Sequence, residues 1–147
     1  MKVRIPLVAM AVLAAGTLTV ARADDSKSYT EGTVSTVTSI RTKPGMFDAY
    51  MKWLDTTGKQ LRDEEKKAGI IVGYEVYSVV PRSPQDPDLY LIVTYKNMAA
   101  LDGLDDREEP LMKKVWATRD AAAKADVERG SLREILGTEL VRKLDLK

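Results

Sequence analysis

The chain has 147 residues, with 23 basic and 22 acidic side chains and no His or Cys. That length supports one domain, and the balanced charge lacks the basic footprint that nucleic-acid phosphates require, which argues against a nucleic-acid partner. Without His and Cys, the usual ligands of zinc, copper and non-haem iron are missing, as are a His-ligated haem, a Ser-His-Asp triad and a Cys-His pair.

No metal site or cofactor is therefore expected, and any general acid or base must be Asp, Glu, Lys or Tyr. The chain opens MKVRIPLVAMAVLAAGTLTVARA. Lys2 and Arg4 precede an apolar stretch over 5–20, and Ala21-Arg22-Ala23 forms a small-residue cleavage signature. The stretch carries Pro6 and Gly16 and falls short of the roughly 20 residues of a spanning helix. These features predict a signal peptide over 1–23, cleaved before Asp24, and a periplasmic or secreted protein with no membrane attachment afterwards. A retained N-terminal anchor is the competing reading. Cleavage removes Lys2, Arg4 and Arg22, which turns the formal +1 into a small negative charge.

Residues 24–32 are polar and read as a flexible N-terminus, leaving 33–147 as the domain. A first strand spans about 33–42, with Val34, Thr36, Thr38 and Ile40 on one face. Lys43-Pro44-Gly45 stops it and starts a helix that runs to about Ala68. Phe47, Tyr50, Met51, Leu54, Gly58, Leu61 and Ala68 form its apolar stripe. Gly58 within that stripe marks either close backbone contact with a sheet or an opening for a ligand. Gly69 ends the helix.

A second strand covers 70–80, with Ile71, Glu75, Tyr77 and Val79 on one face and Val72, Tyr74, Val76 and Val80 on the other. Three prolines follow in the loop 81–88, then a strand over 89–96 that is apolar on both faces. Asn97 caps a short turn over 98–101. The acidic residues from Asp102 to Glu109 suit a helix start at Pro110 better than a calcium loop. A second helix is expected over 111–128, with Met112, Val115, Trp116, Arg119, Ala122, Ala123 and Asp126 facing inward and Gly130 as its break. Ser131 to Glu134 has capping-box spacing for a turn to Leu136, and 138–146 alternates as an edge strand.

The order is β-α-β-β-α-β, the ferredoxin-like α+β pattern: a four-stranded antiparallel sheet with two helices on one face and strands one and three central. The helices leave the other face bare, although Ile71, Tyr77, Val79, Tyr90 and Ile92 fall there. A bare apolar face of that size predicts a homodimer stacked through its sheets.

The segments KPGMFDAYMKWL, GIIVGYEVY, DLYLIVTYKNMAAL and ILGTELVRKL resemble the dimeric α+β barrel superfamily, nearest its small antibiotic-biosynthesis-monooxygenase-like and NIPSNAP-like domains. The likeness spans Thr33 to Lys147 and rests on element order and the Lys-Pro-Gly turn. It implies a homodimer in which two sheets close a barrel, and it leaves open a cofactor-free monooxygenase-like activity. Haem-degrading relatives use a His on the second helix, which is absent here. The first strand also lacks the Asn of several oxygenase members, so no catalytic residue is carried over.

The expected ligand pocket is a cleft between helices and sheet lined by Arg119, Trp116, Tyr50, Tyr74, Tyr95 and Glu75. Angular spacing puts Arg119 in the middle of the second helix's apolar stripe, where it would meet an anionic or phenolic ligand or pair with an acid such as Glu75. The aromatics serve equally as core, and Glu75 as a general base or a solvated carboxylate. Two functions remain: binding of a small apolar or phenolic molecule, and a non-catalytic structural or partner-binding role.

Overall fold

The computed structural model describes residues 27–147; the leader expected over 1–23 lies outside them. Strand β1 (Tyr29–Thr42) begins earlier than expected, so the last residues of the segment read as flexible are paired: Tyr29 faces Leu146 and Glu31 faces Leu144. A register shift follows at Gly32. A Cβ there would lie 2.9 Å from an Asp145 carboxylate oxygen and 3.2 Å from the Lys143 carbonyl, so glycine suits the close strand approach.

Lys43-Pro44-Gly45-Met46 makes the turn that its sequence advertises. The Met46 amide donates to the Lys43 carbonyl at 2.9 Å, and Gly45 takes φ +76°, as the third residue of a type II turn requires. The first helical segment then has three parts: α1 (Phe47–Trp53), a π-helical turn (Leu54–Gly58) and α2 (Lys59–Lys67). Strand β2 (Gly73–Ser78) is shorter than expected. Ile71 does not join the outer sheet face; it is buried with Leu61, Ile70, Tyr95 and Leu111, because the chain enters the sheet two residues later.

Strand β3 (Leu89–Tyr95) precedes the short turn Met98–Leu101, whose Asn97 side chain accepts from the Ala100 amide as expected of a cap. The predicted second helix is two helices. Helix α3 (Leu104–Trp116) begins before Pro110, and α4 (Arg119–Leu132) passes through Gly130. Between them Ala117 takes φ +56°, and Thr118 caps α4 by accepting from the Ala121 amide at 3.1 Å. No helical turn follows Gly130, since β4 (Arg133–Leu146) starts as α4 ends.

The sheet order is β2-β3-β1-β4, all antiparallel, with β1 and β3 central. This is the α+β ferredoxin-like fold. Val34, Ile40, Leu89 and Tyr95 point to the helical layer and are buried. One cluster gathers Ile40, Tyr50 and Leu89 beneath α1; the other gathers Leu61, Ile70, Ile71, Tyr95 and Leu111 between α2 and α3.

Candidate functional site: a helix–sheet cleft

The π-helical turn is the irregular point of the helical layer, and a cleft opens beside it. Its walls are Tyr50, Trp53, Leu54 and Leu61 from the helix and Tyr74, Val76, Leu91 and Val93 from the sheet. Strand alternation supplies the sheet wall, because the register pairs Tyr74 with Val93 and Val76 with Leu91 on one face. The enclosed volume is about 70 Å³.

Trp53 stands at the edge of this space. It stacks on Tyr50 with centroids 6.2 Å apart, and the Arg129 guanidinium lies 5.1 Å above its ring. Gly58 makes that position possible: a Cβ there would come 3.0 Å from Trp53 Cζ3. Arg129 also pairs with Asp126 at 2.5 Å, one turn earlier on α4.

Below Trp53 the site becomes polar. Tyr50 is fully buried, yet its hydroxyl has no hydrogen-bond partner among the described residues. The Arg133 guanidinium lies 5.5 Å from the Tyr50 ring centroid, and its Nε and Nη1 are also buried without partners. Burial raises the Tyr50 pKa, and Arg133 and Arg129 oppose that rise. Burial pushes the Arg133 guanidinium below its ordinary value.

The structure separates the residues expected to share one pocket. Tyr50 and Tyr74 do line the cleft, and the Tyr74 hydroxyl donates to Asp63 at 3.3 Å. The Glu75 backbone borders it, but its carboxylate accepts from the Tyr77 hydroxyl at 3.1 Å on the opposite sheet face, as strand alternation requires. Tyr95 is buried in the α2–α3 cluster, and Trp116 packs against that cluster.

Arg119 is the clearest correction. Its side chain is 86% exposed and donates to Glu109 at 3.0 Å, bordering a separate groove between α3 and α4. The break at Ala117 resets the helical phase, so an angle counted through it fails. Trp53, Arg129 and Arg133 were missed as a group. Arg129 stands near the end of α4 and Arg133 is the first residue of β4, so no single helical or strand spacing in the sequence pairs them.

A second polar cluster lies between α2 and α3. Glu65, 1% exposed, accepts from Arg62 at 2.5 Å. Its pKa is raised by burial and lowered in part by Arg62. Glu108 is raised by burial and then by the Glu65 charge.

No family model matches the chain, and no curated protein matches it. Among solved structures, HapK from Hahella chejuensis is 12% identical, with 75% of this chain and 91% of that one covered at a TM-score of 0.50. A protein from Shewanella oneidensis is 16% identical, with 80% and 96% covered at 0.47. A dimeric ferredoxin-like protein from an uncultured marine organism is 8% identical, with 80% and 90% covered at 0.46. At these identities the likeness to HapK is one of fold alone.

Proposed function

We propose that this chain is an exported, self-associating α+β barrel protein that binds a small aromatic or apolar molecule between its helices and sheet. The observation that carries this reading is the cleft. Aliphatic and aromatic walls meet a π-helical turn, an irregularity that often marks functional sites. The enclosed 70 Å³ is less than the roughly 150 Å³ of a cavity that accepts benzene. A ring therefore enters by displacing the Trp53 indole, which stands at the cleft edge, stacked on Tyr50, under Arg129 and only partly buried against the core.

Thermal unfolding and tryptophan fluorescence, followed across single-ring phenols, quinols and neutral aromatics, test this. A binder at a hundred times its Kd stabilises by about 2.7 kcal/mol, and its displacement of Trp53 alters the emission. Gly58→Ala pushes a methyl toward Trp53 and should weaken binding by about tenfold, with the fold retained because alanine favours the helix by about 1 kcal/mol. Unchanged melting and emission across the set would sink the binding reading. Oxygen consumption with a bound quinol, without added metal, would extend it to cofactor-free monooxygenase-like chemistry.

A non-catalytic assembly role is the second reading. Ile135, Leu140, Leu144 and Leu146 along β4 are 49–82% exposed, more apolar surface than one edge strand ordinarily shows to water. Under this reading, substitutions in the cleft leave the protein's partners unchanged, while substitutions on the sheet do not. Export rests on the N-terminal segment, and sequencing the exported protein should give Asp24 as its first residue.

A further inference from the structure

Among the described residues, three buried hydrogen-bond donors have nothing to accept from them: the Tyr50 hydroxyl, and Nε and Nη1 of Arg133, whose guanidinium lies 5.5 Å from the Tyr50 ring centroid. Leaving one neutral donor unpaired costs about 1–3 kcal/mol, and a charged one more. The nearby carboxylates are otherwise engaged. Asp88, which acts on the Tyr50 hydroxyl, accepts from the Thr42 amide at 3.1 Å and from the Thr42 hydroxyl. Asp126, which acts on Arg133, is taken by Arg129. Glu134, the neighbour of Arg133 in sequence, pairs with Arg41 at 2.7 Å.

We propose that Tyr50 and Arg133 form a receptor for a carboxylate or phenolate oxygen carried by the molecule that enters beside Trp53. This rests on the cleft-binding reading and narrows it to anionic ring compounds. Tyr50 joins the two halves: the residue lines the apolar cleft, and its hydroxyl is one of the unpaired donors. An oxyanion accepts from the phenol and from one N–H of the guanidinium together. Arg129, which lies over Trp53 and adds positive potential at Tyr50, favours the same charge.

Benzoate and its uncharged analogue benzamide separate the charge from the ring. With the purified protein, benzoate should bind at least tenfold more tightly than benzamide. Arg133→Gln should reduce that ratio to near one, and Arg133→Lys should restore it in part by returning the charge without the fork. Tyr50→Phe should raise the melting temperature of the unliganded protein, by removing a buried unpaired hydroxyl, while weakening benzoate about tenfold. Equal binding of the two probes overturns the oxyanion receptor and leaves the cleft reading standing. Binding of neither overturns the oxyanion receptor, and the phenol and quinol series then decides the cleft reading by itself. A preference for benzoate that survives Tyr50→Phe and Arg133→Gln places the anion elsewhere and overturns this assignment.

Discussion

Glu65 shows what one side chain's environment does to the stability of the whole. It is buried against α3, and the groups facing it are Arg62 from its own helix, Glu108 from α3 and Tyr95 from β3. Burial raises Glu65 and Glu108 above their ordinary 4.5, and for each this outweighs the attraction of Arg62. A carboxyl whose folded pKa is raised is most stabilising when protonated. Its contribution is complete below about pH 4.5 and is lost as pH rises through the raised value. Asp63 and Glu109 act oppositely, since Lys59 and Lys113 hold them below their ordinary values, but both are fully exposed and carry little weight. Stability should therefore decline from mildly acidic to neutral pH. Glu65→Gln should flatten most of that decline, because it removes the Glu65 carboxylate and with it the charge that helps to raise Glu108, leaving only the part that burial of Glu108 causes. Melting temperatures of both proteins from pH 4.5 to 7.5 check this, and parallel curves would show that Glu65 titrates without consequence for folding.

Among the elements, the break between α3 and α4 decides which way the side chains of α4 face. Ala117 holds φ +56° and ψ −40°, outside the conformations that a residue with a Cβ favours. Ala117→Gly should raise stability by about 1 kcal/mol, seen as a higher denaturant midpoint with an unchanged slope. A lower midpoint would mean that the methyl packs usefully. Trp116-Ala117-Thr118 contains no Gly or Pro, so the usual punctuation of a helix end is missing, and Thr118 signals a cap only to a reader already suspecting one. That is why Arg119 was legible as an inward residue and proved to be exposed. The strands were more legible, because an alternation of apolar residues over a two-residue period survives errors of boundary. The Lys-Pro-Gly turn was legible for a stricter reason: only glycine sits comfortably at φ +76° there. The donor group of Tyr50 and Arg133 could not be read, since it joins residues 83 positions apart through a strand–helix contact that no local pattern encodes.

For the whole molecule, the two sheet faces are treated unequally. The helical layer covers one face, where Val34, Ile40 and Leu89 have no exposed surface. On the other, β-pairing brings Val37, Ile92, Tyr90 and Tyr77 side by side, with Val37 opposite Ile92 and Tyr77 opposite Tyr90. These residues line an open groove, and Tyr77 is 49% exposed. Each aliphatic or aromatic side chain that a second copy covers contributes about 1.5–3 kcal/mol. A stable interface removes roughly 800 Å² from each partner, an area that a four-stranded face extended by the long β4 is broad enough to supply. Stacking two such faces encloses the bare side of each sheet and completes a barrel, leaving the cleft on the outer, helical side of each protomer. In this arrangement the proposed assembly and the proposed ligand binding are separable. Ile92→Lys puts a charge at the centre of the proposed contact, where leaving it unpaired costs about 3 kcal/mol or more, a hundredfold or greater loss in association. Sedimentation analysis should find the original protein dimeric and this variant monomeric, with the far-ultraviolet circular dichroism of both alike. If Ile92→Lys remains a dimer, the copies meet elsewhere, and the exposed apolar length of β4 becomes the surface through which they join.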